Sequence, residues 1–235
     1  MNNCRRIINS KYAEAAQDRT SQKTSLTNTV LNPLSILREA YDQVTAPGGA
    51  TALVCTLSRK ELTCANLGDS GFILIRFDDC YNPFIVMQST PKQHAFNTPY
   101  QLAKLPSEDQ IARGLKKKAS PGEIANILFH YRNATFCKDS PEDACIYKCR
   151  VKSGDLLLLA TDGVFDNLFQ EEILLIVKGI TRDEKEKTAE RIASEIAQRA
   201  HYKSINNEKT PFSEEAKRNG NLNHRVRLYH EVIGR

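Results

Sequence analysis

The sequence lacks the long apolar run that a membrane-spanning helix needs. Such a helix requires about twenty consecutive apolar residues, whereas the mean hydropathy of this chain is −0.46. Cysteine is also sparse, with 7 residues among 235. This odd number does not suit a small secreted domain held together by disulfide bonds. With only 11 glycines and 9 prolines, the composition is that of an ordinary globular protein.

The chain has no strong excess of either charge. Its 33 Lys and Arg residues against 28 Asp and Glu residues give a net charge of +5. The basic residues are scattered among acidic ones and form no platform with aromatic side chains, so nucleic-acid binding is not expected. The lysine run at residues 116–118 is interpreted as a solvent-exposed face.

The sequence also shows no recognisable targeting signal and no zinc-binding motif. The first eight residues contain no apolar stretch of the length that a secretory signal needs, and the early acids Glu14 and Asp18 argue against a transit peptide. Cys145 and Cys149 share one face of a predicted strand, but no second Cys or His pair follows at the spacing of a zinc site. We therefore expect free thiols in a reducing compartment.

Apolar periodicity predicts helices at both ends of the chain and strands between them. Short strands joined by tight polar turns favour antiparallel pairing. No repeat or linker divides the chain, so we expect one domain over residues 1–235. The predicted helices cover residues 33–44, 122–131, 171–177 and 186–202, and the predicted strands cover residues 52–57, 62–67, 72–77, 83–87, 144–151 and 156–161.

One acidic residue follows the most apolar of these strands. Leucines at positions 156–159 predict a strand buried on both faces, and Asp162 and Gly163 follow it directly. A bare buried carboxylate is very costly, so Asp162 must be hydrogen-bonded, paired or metal-bound. Two interpretations are open at this point: Asp162 closes the turn with Gly163, or it binds a metal ion.

Five segments resemble the metal-dependent protein phosphatase 2C (PPM-type) family. Three of them are Gly-Ala-Thr-Ala at residues 49–52, Ala-Asn-Leu-Gly-Asp-Ser at 65–70 and the stretch from Leu157 through Asp162-Gly163 to Asn167. Residues 93–102 and 210–216 are similar to one branch, the PTC-seven homologue group, which includes mitochondrial phosphatases. The resemblance extends over residues 1–220 and leaves a divergent tail at 221–235.

The resemblance implies an α+β fold of two stacked antiparallel β-sheets flanked by helices. It also implies hydrolysis of phosphoserine and phosphothreonine in protein substrates by a water activated by two Mn²⁺ or Mg²⁺ ions. Asp162 and Asp166 would be metal ligands. Gly163, Asp69 and Gly68 would support the site, and His94 would be a packed or loop histidine rather than a catalytic one.

Two family motifs have no counterpart in the chain. The family's Asp-Gly-x-Gly-Gly motif precedes its first long helix, yet Asp162-Gly163 is the only Asp-Gly pair in this sequence. The family's Gly-Gly-Lys-x-Asp-Asp segment is also missing, because residues 221–233 contain no aspartate, and Asp78-Asp79 lies in a hairpin region. We therefore expect a chain truncated at both ends that retains one of the three family carboxylates for the metal pair.

Two functions follow from this comparison. The first is a metal-dependent protein serine/threonine phosphatase, represented here by an inactive fragment, a splice form or an incomplete gene model. The second is a catalytically dead relative that binds phosphoproteins or regulates an intact phosphatase, through Lys116–Lys118 or the basic stretch at residues 217–227. A monomer is expected, and the family branch suggests a mitochondrial location, although the chain shows no targeting segment.

Overall fold

The computed structural model describes residues 6–7, 9–10, 31–134, 139–181, 188–206 and 208–220. A short 3₁₀ helix covers Pro141–Asp143. The α-helices are α1 (Pro33–Asp42), α2 (Glu108–Leu115), α3 (Pro121–Asn133), α4 (Asp162–Phe165), α5 (Gln170–Thr181), α6 (Thr188–Ile205) and α7 (Pro211–Arg218). The strands are β1 (Gly48–Ala50), β2 (Ala52–Ser58), β3 (Glu61–Leu67), β4 (Gly71–Phe77), β5 (Pro83–Gln88), β6 (Gln93–Ala95), β7 (Thr98–Pro99), β8 (Leu102–Lys104), β9 (Cys145–Arg150) and β10 (Leu156–Ala160).

The strands form two three-stranded antiparallel sheets, as the sequence predicts. The first sheet has the order β2-β3-β9 and the second has the order β10-β4-β5. The pairs β1-β8 and β6-β7 form separate two-stranded ladders. Strands β3 and β4 lie in different sheets and are joined by the short turn through Asp69, so this turn crosses from one sheet to the other.

The two sheets stack face to face with helices outside them. Leu62 and Cys64 of β3 pack with Phe72 and Leu74 of β4 in the layer between the sheets. Ile73 and Ile75 face the other side of the second sheet and pack against α4, α5 and α6. Helix α1 buries Ile36, Leu37 and Ala40 against Val54 of the first sheet. The expected α-β-β-α sandwich is confirmed.

Local sequence explains where α1 begins. The side chain of Asn32 accepts a hydrogen bond from the backbone N–H of Leu34 at 2.9 Å, and Pro33 occupies the first helical position. Proline fits there because its missing N–H has no partner within the helix. The predicted helix over residues 33–44 is confirmed, although it ends at Asp42.

One prediction about β10 is wrong. The four leucines predict a strand buried on both faces, but Leu159 is 50% exposed. Within the described part of the chain, β10 pairs only with β4 and is the edge strand of its sheet. Leu156 and Leu158 pack under the helices and Leu157 packs between the sheets. The packed layer between the two sheets, which includes Leu157, therefore does not extend to Leu159.

The polar span between β8 and β9 contains two helices rather than the single one expected. Helix α3 covers the predicted segment, and α2 precedes it. Each helix begins with a capping box, made by Ser107 with Gln110 and by Ser120 with Glu123. Lys116–Lys118 follow α2 and are exposed, which confirms their interpretation as a solvated face.

None of the helices in the described segments is long and apolar enough to cross a membrane. The divergent tail at residues 221–235 lies outside the described residues. Single-domain organisation over residues 1–235 stays a prediction.

Candidate active site

The turn between β3 and β4 requires glycine at position 68. Gly68 has a φ of 100°, which side-chain-bearing residues rarely adopt. A Cβ atom there would lie 2.5 Å from Cγ2 of Thr51 and 2.6 Å from the carbonyl oxygen of Tyr100. The backbone of Gly68 is therefore packed directly against the chain around Tyr100, and Asp69 follows at a fixed position.

Hydrogen bonds hold this turn on both sides. The hydroxyls of Thr51 and Ser70 lie 2.9 Å apart, and the backbone N–H of Lys92 donates to the carbonyl of Gly68 at 2.9 Å. Two of the three predicted supporting residues, Gly68 and Asp69, thus lie in a turn held by β-strand ends and by the segment that precedes β6.

Asp162 lies just after the C-terminal end of β10, as Asp69 lies just after the C-terminal end of β3. Asp162 is the first residue of α4, it is half-buried, and its Oδ1 accepts a hydrogen bond from the backbone N–H of Gly163 at 2.8 Å. Gly163 is itself buried. The turn-closing interpretation of Asp162 is therefore observed.

Register brings Asp69 and Asp162 together. Ala160 of β10 pairs with Gly71 of β4 in the antiparallel ladder. Asp162 lies two residues beyond Ala160 and Asp69 lies two residues before Gly71, so both leave the sheet at the same edge. Burial raises the pKa of Asp69, and the negative charge of Asp162 raises it further, while the backbone N–H groups of Asp69 and Ser70 act in the opposite direction.

Asp166 lies one helical turn after Asp162. Its backbone N–H donates to the carbonyl of Asp162 at 2.7 Å, and its own carbonyl accepts from the backbone N–H of Phe212 at 3.0 Å. The main chain of Asp166 thus joins α4 to the start of α7. A metal-binding role for its carboxylate stays a prediction.

The donor chemistry of this site suits a divalent cation. Mg²⁺ and Mn²⁺ prefer oxygen ligands, and one or two carboxylates with water often suffice for Mg²⁺. Asp69 and Asp162 supply such a pair. However, no group of three or more Asp, Glu, His or Cys side chains in the described segments could hold a metal ion. The described residues therefore fit one cation held partly by water, and they do not fit the two-ion cluster that the resemblance implies.

Two buried amides near this edge were not predicted from the sequence. Asn66 is 1% exposed, and neither atom of its side-chain amide has a hydrogen-bond partner among the described residues. Asn167 is equally buried and donates to the carbonyl of Gly163 at 2.9 Å, whereas its Oδ1 has no partner there. The available signal for Asn66 was an asparagine within the short stretch at residues 64–67, whose other residues are apolar, three residues before Asp69.

His94 is expected to be a packed or loop histidine, and in the structure it is an exposed residue of β6 whose ring makes two contacts. Its Nε2 lies 2.9 Å and 3.1 Å from the two carboxylate oxygens of Asp139, which is 8% exposed. Its ring stacks on Tyr100 with 3.8 Å between the centroids. These contacts hold the β6-β7 hairpin in place. The backbone N–H of Lys92, just before that hairpin, donates a hydrogen bond to the carbonyl of Gly68.

A cavity of about 440 Å³ opens next to Asp69. Its polar lining includes Asp69 and Ser70 from the turn and Ser89 from the end of β5. Its apolar lining includes Phe165 and Phe169, on either side of the segment that joins α4 to α5. Asp69 thus borders a recess large enough for a side chain or a small peptide segment.

Comparison with known proteins agrees with this architecture. The chain resembles the solved structure of the photosystem II phosphatase PBCP with a TM-score of 0.59, 23% sequence identity, and coverage of 80% of this chain and 59% of that one. This likeness supports the fold. Residues 2–98 match the family model for protein phosphatase 2C, which assigns this part of the chain to that family.

Two animal protein phosphatases are also similar to this chain. The chain is 33% identical over 198 residues to the protein phosphatase PTC7 homolog fig of Drosophila ananassae, covering 80% of this chain and 51% of that protein. It is also 33% identical over 197 residues to the protein phosphatase PTC7 homolog of Danio rerio, covering 80% of this chain and 57% of that protein. The chain therefore spans about half the length of the curated relatives it matches.

Proposed function

We propose that this chain is a metal-dependent protein serine/threonine phosphatase, or the part of one that contributes Asp69 and Asp162 to the active site. The observation behind this proposal is the convergence of two carboxylates at one sheet edge, beside a cavity, in a chain whose residues 2–98 match the protein phosphatase 2C family. Its substrates would be proteins that contain phosphoserine or phosphothreonine.

The residues at the site have separate roles in this proposal. Asp162, oriented by the N–H of Gly163, and Asp69, fixed by Gly68, would bind Mn²⁺ or Mg²⁺. The described side chains form no group of three ligands, so a metal-binding role for the Asp166 carboxylate stays the prediction made from the resemblance. When bound, such an ion lowers the pKa of a coordinated water and neutralises charge on the phosphoryl oxygens.

The charges of Asp69 and Asp162 give a reason for a bound cation. Burial and the neighbouring charge of Asp162 disfavour ionisation of Asp69. A divalent cation bound at this site would favour the ionised form of Asp69, because it would supply the opposite charge that the two carboxylates lack. The cavity beside Asp69 would receive the residues flanking the phosphorylated side chain.

Phosphate release from phosphoserine and phosphothreonine peptides tests this function, with Mn²⁺ and Mg²⁺ titrated separately. We expect ion-dependent hydrolysis that Asp162→Ala abolishes and Asp69→Asn strongly reduces. Asp109→Asn is the matched control, because Asp109 is an exposed acid on α2. A folded chain that binds neither ion by calorimetry and releases no phosphate would disprove the proposal.

A second function is favoured by one observation, namely the incomplete ligand set of the described residues. In this alternative the chain binds phosphoproteins, or regulates an intact phosphatase, without catalysis. It predicts phosphopeptide binding in EDTA that Asp162→Ala leaves unchanged, together with resistance of the metal-free chain to proteolysis. Replacing Lys116–Lys118 with serine would lower the affinity if this basic loop makes the contact.

A further inference from the structure

Two cysteines face each other across the hairpin formed by β2 and β3. Cys55 and Cys64 are direct register partners in this antiparallel pair. Both belong to the layer between the sheets, where Cys64 is fully buried and Cys55 is partly exposed. Both thiols are free. Neither residue takes part in the proposed phosphatase chemistry.

The turn of this hairpin determines the type of pairing at the cysteines. Only Arg59 and Lys60 separate the paired residues Ser58 and Glu61, so those two must exchange both backbone hydrogen bonds. Bonded and non-bonded pairs alternate from there. Three pairs further along, Cys55 and Cys64 form a non-hydrogen-bonded pair, the kind in which the Cα atoms approach to about 4.5 Å. Disulfides span Cα separations from about 4.4 to 6.8 Å.

The two thiols differ in a way that assigns them separate roles. A hydrogen bond from the Cys64 thiol lowers the pKa of Cys55, although burial opposes this effect. The pKa of Cys64 is raised by its hydrogen bond to Cys55 and by burial. Cys55 therefore forms the thiolate more readily and is also the more accessible sulfur, while Cys64 keeps its proton. Attack on an oxidant requires the thiolate.

We propose that Cys55 and Cys64 form an oxidative modification site, which hydrogen peroxide converts to a cross-strand disulfide. In the first step the Cys55 thiolate attacks one peroxide oxygen and becomes a sulfenic acid, and the other oxygen leaves as hydroxide. In the second step the Cys64 sulfur attacks the Cys55 sulfur. The sulfenic oxygen leaves with the Cys64 proton, so two thiols and one peroxide yield one disulfide and two waters.

Cys149 is the alternative partner for Cys64. It lies on β9 and contributes to the raised pKa of Cys64, so its sulfur is near. In the register of β3 and β9, however, Cys149 pairs with Leu62, and Cys64 pairs with Tyr147. Cys149 is thus diagonal to Cys64, where side chains are farther apart than those of a direct pair. The geometry favours Cys55.

The test is disulfide mapping of the full chain after reduction, peroxide treatment and alkylation in denaturant. Trypsin cleaves at Arg59 and Lys60, which places Cys55 and Cys64 on different peptides. We expect these peptides to appear as one linked species, two hydrogens lighter than their sum and separated again by dithiothreitol. Cys80→Ser is the matched control and should give the same linked species, because Cys80 is an exposed residue in the turn between β4 and β5.

A variant separates the two steps. Cys64→Ser should form no linkage and should accumulate a dimedone-reactive sulfenic acid on Cys55. Recovery of Cys55 and Cys64 as fully alkylated peptides from folded, peroxide-treated protein would overturn the proposal. Linkage of Cys64 to Cys149 instead would also overturn it. All these readouts are independent of phosphatase activity.

Discussion

At the scale of single residues, Asp69 is held where its charge is unfavourable. It follows a glycine whose backbone is packed against Thr51 and Tyr100, and it lies beside Asp162. Packing of the turn therefore fixes a carboxylate that an isolated chain would keep in water. A metal site whose carboxylates are held close together before the ion binds is expected to destabilise the metal-free protein.

Asp69→Asn should stabilise the metal-free protein at neutral pH. Because the pKa of Asp69 is raised in the folded state, its contribution to stability is present below the unfolded pKa and is lost as pH rises through the folded value. The variant should therefore gain up to about 1 kcal/mol at pH 7, and the gain should vanish below about pH 4. The measurement is urea unfolding in EDTA across this pH range.

The control for that series is Asp109→Asn, which removes an exposed charge and should change the free energy of unfolding very little. If Asp69→Asn proves less stable than the wild-type chain at pH 7 in EDTA, the carboxylate is a stabilising hydrogen-bond acceptor, and the view of Asp69 as a strained ligand is wrong.

The sequence predicted some of these residues and missed others for a physical reason. The Gly68-Asp69 turn and the position of Asp162 after an apolar strand follow from local patterns. The proximity of Asp69 to Asp162 depends on the pairing of Ala160 with Gly71, which joins distant parts of the chain. Long-range register cannot be derived from spacing within one strand.

At the scale of elements, one ion pair joins the second sheet to the β9-β10 turn. Nε and Nη2 of Arg76 on β4 each lie 2.8 Å from an oxygen of Asp155, and Asp155 also accepts from the backbone N–H of Lys152. The side chain of Asp155 is only 4% exposed. This bidentate contact connects the end of β4 to the turn that carries the chain from one sheet to the other.

Arg76→Lys should destabilise the protein by about 1–2 kcal/mol at pH 7, because lysine cannot reproduce the planar two-point contact. The Arg76 guanidinium lowers the pKa of Asp155 against the opposing effect of burial. The stabilisation is therefore present above the unfolded pKa of Asp155 and is lost as pH falls through the lower folded value. Urea unfolding at pH 7 and pH 3 should show a smaller difference between wild type and variant at the acidic pH.

Arg150→Lys provides the comparison, since Arg150 is an exposed residue at the end of β9. Equal losses for both variants at pH 7 would mean that the Arg76-Asp155 contact contributes no more than an ordinary surface arginine.

Elements were predicted well where pattern and burial agree, and less well at the edges of the sheets. The six main strands and α1, α3 and α5 match the predicted segments, and α6 matches the helix predicted over residues 186–202 except at 186–187, which lie outside the described residues. Helix α2 has no buried residues, so its apolar pattern gave no signal, although the capping box of Ser107 and Gln110 was visible in the sequence. Leu159 shows the converse, because an apolar residue on an edge strand stays exposed where no layer covers it.

At the scale of the whole molecule, the two sheets behave as one unit only if their shared layer is intact. Phe72 of the second sheet is 1% exposed, and its ring meets that of Tyr147 on the first sheet edge to face, at a centroid distance of 5.3 Å. The hydroxyl of Tyr147 accepts a hydrogen bond from the backbone N–H of Thr90. These rings join the sheet that leads into Asp162 to the sheet that leads into Asp69.

Phe72→Ala should cost about 3–5 kcal/mol, because it removes a large side chain from a closely packed layer and leaves a cavity. Tyr147→Phe, which keeps the ring and loses one exposed hydrogen bond, should cost about 1 kcal/mol or less. Both can be measured by urea unfolding followed by circular dichroism, with hydrogen exchange resolved for each sheet. In Phe72→Ala the amides of β3 and β4 should lose protection together. If β4 loses protection while β3 keeps its wild-type exchange rates, the sheets unfold separately, and the acid pair is held by two independent units rather than by one cooperative sandwich.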